Sequence, residues 1–156
     1  MENIVIDGTP FSVLMDRAVK IKSSHAAAAR KKYDALPSFL QSSLISSDEV
    51  AFARNLEFDD RIETAMTWKE DGNAAYREGR FDDALEIYKT SLHVFRYLLQ
   101  TNPDDNDIKN FGIKDEYLRE VTFHPKSEKQ QQQLDHFFVN IYNNIAITCL
   151  KKNDFS

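Results

Sequence analysis

Three polar side chains in this chain have types and spacing suited to holding a ligand. Lys69 and Asn73 lie four residues apart, so on a helix they share one face, and Asn144 stands far downstream in a second stretch with helical spacing. An ammonium and two carboxamides supply hydrogen-bond donors and no anion of their own. That chemistry suits a peptide carboxylate, which a few fixed donors can capture. Each charge-assisted bond contributes about 1.5–3 kcal/mol. The plainer alternative makes Lys69 an ordinary solvated residue beside Glu70 and Asp71, and the two asparagines exposed amides.

The other reactive residue types form no comparable pattern. His25, His93, His124 and His136 include no pair at the i,i+4 spacing of a helical metal site. The single Cys149 excludes an intramolecular disulfide and a cysteine-rich metal site; it falls on an apolar stripe and is expected to be a small core residue. The run Asp104-Asp105-x-Asp107 lacks the downstream glycine and the closing glutamate of a calcium loop and reads as a solvated loop. There is no glycine-rich phosphate loop, serine-nucleophile elbow or Cys/His catalytic pattern. The reading is therefore of a non-enzymatic chain with no metal and no cofactor. A formal charge of −5 argues against nucleic acid or an anionic membrane as the main partner. No apolar run approaches the roughly 18 residues of a membrane span. The opening MENIVIDGTPF is acidic where a secretion signal would be basic. The cytoplasm is the expected compartment, with the nucleus open as well.

The elements that would carry these residues are helical. Only four Gly and four Pro occur in 156 residues, and the fold class is read as all-α. Residues 1–9 read as an irregular leader, and Thr9-Pro10 as a helix start. Phe11, Leu14, Met15, Ala18 and Val19 follow at helical spacing. The helix continues or restarts through His25–Leu36 until Pro37 stops it. Ser46-x-x-Glu49 looks like a capping box for a short helix. A stronger pair follows. One helix starts at Asp59/Asp60 and ends at Gly79; the next starts near Phe81-Asp82 and is expected to run on to about Gln100 through Ala84, Leu85, Tyr88, Leu92, Phe95, Leu98 and Leu99. Residues 101–127 break the pattern, with one or two turns over Ile113–Val121. From Glu128 a helix resumes, its stripe formed by Leu134, Phe137, Phe138, Ile141, Tyr142, Ile145, Ala146 and Cys149, and the Gln130–Gln133 tract is its exposed start.

Within the helical pair, Trp68-x3-Gly72 precedes Gly79-x-Phe81-x2-Ala84-x3-Tyr88-x2-Ser91. This spacing resembles the tetratricopeptide repeat, a helix–turn–helix unit of ~34 residues. Tyr142-x3-Ala146…Asn153-x-Phe155 overlays it in register as the start of a second repeat. The reading divides the chain into an N-terminal helical leader or cap (1–57) and a repeat region (58–156). The latter comprises repeat one (65–100), an insert (101–127) and the first helix of repeat two (128–152), with the chain ending before the second helix of that repeat. Gly72 and Ala84 would be small where the helices cross, with Trp68, Tyr76, Phe81 and Tyr88 filling the space around them. Asp71 and Ala75 stand where the repeat usually has a leucine and an aromatic residue.

The lengthened second helix and the insert resemble the layout of immunophilin-type co-chaperones. Lys69, Asn73 and Asn144 match three positions of the carboxylate clamp of chaperone-binding tetratricopeptide domains. The resemblance implies a protein-binding module that grips the Glu-Glu-Val-Asp tail of heat-shock proteins 90 and 70. The clamp's remaining lysine and arginine belong to a third repeat, which this chain does not contain. Two alternatives stay open: a repeat scaffold for another protein with no clamp function, or the regulatory piece of a larger enzyme such as a prolyl isomerase or phosphatase. The apolar stripe over 128–151 would lack its partner helix, so self-association through it is expected.

Overall fold

The computed structural model describes residues 4–101 and 112–154. Pro103, the Asp104-Asp105-x-Asp107 run and Phe155 lie outside the described residues. The chain is mostly helical, with two small two-stranded sheets. It divides into two compact units: the residues up to Leu36 with Gln100–Leu118, and Pro37–Leu99 with the residues from Arg119 on. Among the described residues no helix is long and apolar enough to cross a membrane.

In the first unit, β1 (Val5–Ile6) pairs antiparallel with β2 (Thr9–Pro10). The irregular leader expected over residues 1–9 is thus a small hairpin where it is described. Asp7 and Gly8 both take positive φ, 48° and 77°, the conformation that Asp-Gly favours in a two-residue hairpin turn. Helix α1 (Phe11–Ala29) follows, with none of its residues buried, and α2 (Lys31–Ala35) restarts after a break at Arg30. The carboxylate of Asp115, distant in sequence, accepts hydrogen bonds from the α2 amides of Lys32 and Tyr33 at 2.6 and 3.0 Å. It satisfies N–H groups that the first turn of a helix leaves without partners.

The second unit holds the core. Short helices α3 (Ser38–Gln41) and α4 (Asp48–Ala53) lead into α5 (Phe58–Arg77) and α6 (Phe81–Leu92). The cap of α4 is Ser47, whose Oγ accepts from the Val50 amide at 3.3 Å. The capping box expected at Ser46 is displaced by one residue, because the Ser46 hydroxyl accepts from Arg54 Nη1 instead. Between α5 and α6, the Arg80 amide donates to Ala75 O and the Gly79 amide to Tyr76 O, each at 3.0 Å. With Gly79 at φ 76°, this is a Schellman stop that turns the chain within three residues. The Tyr76 and Phe81 rings close the turn edge to face, 5.3 Å apart.

The second helix does not run to Gln100. It ends at Leu92, and Arg96–Gln100 is an extended strand, β3, paired with β4 (Leu118–Thr122). The cause lies in where the backbone groups after Leu92 find partners. Arg54 Nε donates to His93 O at 2.9 Å and Arg61 Nε to Val94 O at 3.1 Å, while Arg61 Nη1 holds the carbonyl of Arg54. Phe95 O accepts from the Phe123 amide, and the Leu98 amide donates to Ser43 Oγ at 2.8 Å. The contacts at His93, Val94, Phe95 and Leu98 would be lost if the helix continued. Phe95 is buried from the turn before the strand and Leu98 from the strand itself, and Leu99 is exposed. The turns expected over Ile113–Val121 are one 3₁₀ turn, Asp115–Tyr117, followed by β4.

The last element, α7 (Glu128–Asp154), starts at Ser127, whose Oγ accepts from the Gln130 amide. It packs on α6 and also touches α5. Leu134, Phe137, Ile141, Ile145 and Thr148 are buried. The stripe expected to lack a partner is therefore covered by the preceding hairpin. Ala146 and Cys149 fall outside the buried face: both are exposed, so Cys149 is no core residue. The exposed apolar residues of α7 are instead Val139, Ile147 and Leu150.

Candidate functional site

The site lies where α5 and α7 run beside each other over α6. Its floor is the crossing of α5 and α6. A Cβ built on Gly72 would stand 2.6 Å from Tyr88 Cε1 and 2.7 Å from Cδ1, closer than real atoms approach. Gly72 is thus the one residue type that lets the Tyr88 ring lie flat on α5. Ala84 and Tyr88 are buried with it, and Trp68, Tyr76 and Phe81 are half-buried around them. One turn along, Ser91 Oγ donates to Ala65 O at 2.6 Å, a buried bond that fixes the helices in register.

Because the Tyr88 ring is seated this way, its hydroxyl reaches Asn73 and donates to Oδ1 at 2.6 Å. The same oxygen accepts from Asn144 Nδ2 on α7 at 3.0 Å, across 71 residues of sequence. Asn73 and Asn144 are therefore joined directly. Both lone-pair positions of the Asn73 carbonyl are in use, so its amide nitrogen must face outward. That nitrogen donates to Glu70 Oε2 at 3.1 Å. Lys69 Nζ lies 3.2 Å from the other oxygen of Glu70, and the Lys69 side chain is only 12% exposed. The donors thus come with an anion: Glu70 sits on the two α5 residues that were expected to bring none. Glu70 titrates below the usual carboxylate range, held there by the Asn73 amide first, then by the Lys69 ammonium, with the charge of Arg77 adding to both. Burial, together with Tyr76 and Glu70 nearby, raises the Tyr88 phenol.

Comparison with protein-family models, with curated proteins and with solved structures finds no match. The chemistry of this groove therefore rests on its own geometry. Beside the joined asparagines is a cavity of about 310 Å³ lined by Asn73, Tyr76, Arg77, Tyr88, Asn144, Ile147 and Thr148. Thr148 turns its hydroxyl away, donating to Asn144 O at 2.6 Å. The lining carries one formal charge, the Arg77 guanidinium. Sequence reasoning missed Arg77 although it stands four residues after Asn73, the same spacing that paired Asn73 with Lys69. Glu70 was within reach of the same rule, three residues before Asn73. Among the described residues no three His, Cys, Asp or Glu side chains come together as metal ligands.

Proposed function

We propose that the α5–α6 hairpin is a tetratricopeptide repeat, that α7 opens a second repeat, and that the groove between α5 and α7 binds the C-terminal carboxylate of a partner protein. The partner of this reading is a chaperone of the heat-shock 90 or 70 class, and the chain a co-chaperone. One observation carries it: the hydrogen bond from Asn144 to Asn73 brings donors from two distant helices to one cavity edge. The Schellman turn at Gly79 and the Gly72–Tyr88 contact support the repeat assignment, since both follow the motif's spacing. A second reading, a scaffold that binds by another face, draws on Glu70, which already occupies Lys69 and Asn73.

Titration of a peptide ending in Glu-Glu-Val-Asp against this chain separates the two. Saturable binding that weakens about tenfold or more in Lys69→Ala, as loss of one charge-assisted bond implies, supports the carboxylate reading. Absence of binding, or equal binding by Lys69→Ala, sinks the clamp as described and leaves the scaffold.

A further inference from the structure

The two α5 donors assigned to the ligand already hold a carboxylate, that of Glu70. A second anion arriving at the groove needs a cation that is not yet engaged. Arg77 meets that requirement. It sits one turn beyond Asn73 on the same stripe of α5, is exposed, and has no hydrogen-bond or ion-pair partner among the described residues. It shares the wall of the 310 Å³ cavity with Asn73 and Asn144, each of which keeps one amide N–H beyond those already donated. Its charge acts on both Glu70 and the Tyr88 phenol, adding to the lowering of Glu70 and opposing the rise that burial gives Tyr88. No carboxylate lines this cavity, and the nearest one described, Glu70, is held by Asn73 at its edge.

Resting on the carboxylate reading above, we propose that Arg77 is the specificity-determining cation of the groove, and that Glu70 is a resident competitor for the same donors. A guanidinium offers two parallel N–H groups to a carboxylate, a geometry that an ammonium lacks. The lining also has an apolar wall, to which Ile147, 48% exposed, and the Tyr76 ring contribute. The ligand is therefore a peptide terminus whose carboxylate sits beside an apolar side chain. Bare inorganic anions would leave that wall unpaired. The site works within two helices: Arg77 supplies the positive charge, and Asn144 with Asn73 fixes the direction of approach.

The test uses the intact chain and two peptides ending in Glu-Glu-Val-Asp, one with a free terminus and one amidated, followed by calorimetry or anisotropy. Thermal melts accompany each variant; Arg77 is exposed and its substitution should leave the melt unchanged. Arg77→Gln should weaken the free-acid peptide about tenfold or more, as removal of one bidentate charged contact implies. It should change the amidated peptide much less, because amidation removes the terminal carboxylate and leaves only the Glu and Asp side-chain carboxylates for the guanidinium. Arg77→Lys should recover only part of the loss. Glu70→Gln should tighten the free-acid peptide several-fold. Equal affinity of wild type and Arg77→Gln for the free-acid peptide overturns the Arg77 assignment while leaving the clamp intact. Weaker binding by Glu70→Gln overturns the competitor role. Failure of both wild type and Glu70→Gln to bind the free-acid peptide overturns the carboxylate reading, and this inference falls with it.

Discussion

Gly72→Ala tests the packing on which the groove rests. Alanine is the better helix former, by about 1 kcal/mol in a helix interior, so at a neutral site this substitution stabilises. Here the new methyl would stand 2.6–2.7 Å from the Cε1 and Cδ1 atoms of Tyr88. The ring cannot yield cheaply: Tyr88 is 2% exposed, Cδ1 is near the stem of the side chain, and the hydroxyl is tied to Asn73. Overpacking of this kind costs about 1–3 kcal/mol. Displacing the ring also breaks the Tyr88–Asn73 bond, worth about 0.5–1.5 kcal/mol. Set against the helix-propensity gain, the net expectation is a loss of about 1–3 kcal/mol. Urea or guanidinium denaturation followed by circular dichroism measures it. Repeating the substitution in a Tyr88→Val background sharpens the test. With the ring gone, Gly72→Ala should change sign and stabilise by about 1 kcal/mol. A Gly72→Ala protein as stable as wild type, or the same destabilisation in both backgrounds, would refute the claim that Gly72 is required by the Tyr88 ring.

Two further predictions concern the end of α6. Arg61→Met keeps the apolar stem but gives up the bonds to Val94 O and Arg54 O; leaving these carbonyls without partners should cost about 2–4 kcal/mol by denaturant unfolding, and a change below about 1 kcal/mol would contradict the role given to that guanidinium. His93 is buried and donates through Nε2 to Phe39 O, and burial lowers its pKa below the usual value of 6.5. The unfolded chain therefore takes up the proton more readily than the folded one, so this contribution is present above pH 6.5 and is lost as pH falls through the folded pKa. Melting temperature should decline from pH 7.5 towards pH 5, and His93→Gln, which keeps a neutral donor, should flatten the decline; an identical slope in the variant would show that other groups set it.

How much of this was legible in the sequence follows from how far each determinant lies from the residues it controls. The α5–α6 hairpin is specified locally. Gly79 stops one helix, Phe81 and Asp82 start the next, and the small–large alternation of Gly72, Ala84 and Tyr88 lies within one turn–helix span. The end of α6 is specified from afar. Phe95, Leu98 and Leu99 fit a helical period as well as an extended one, and the choice falls to Arg54, Arg61, Ser43 and Phe123, none of which is a sequence neighbour. On α7 the wide stripe was read one residue too far round: Ile141, Ile145 and Thr148 face inward, while Ala146 and Cys149 do not. Its partner was sought downstream, but α6 had already supplied it. The Asp7-Gly8 turn is specified locally, by two adjacent residues that tolerate positive φ. At the groove, the three donor positions were visible as residue types, whereas the orientation of the Asn73 amide depends on a phenol that only the folded hairpin delivers.

That amide makes the groove and the fold inseparable. The Asn73 carboxamide keeps its nitrogen outward because its oxygen is held at once by α6 through Tyr88 and by α7 through Asn144. If α7 lifts away, the carboxamide loses one of its two anchors and can rotate, offering an acceptor where it had offered a donor. An anion bound there would meet repulsion in place of a bond. On the proposed carboxylate reading, recognition depends on the docking of the last helix, and a ligand held by both asparagines also clasps that helix in place.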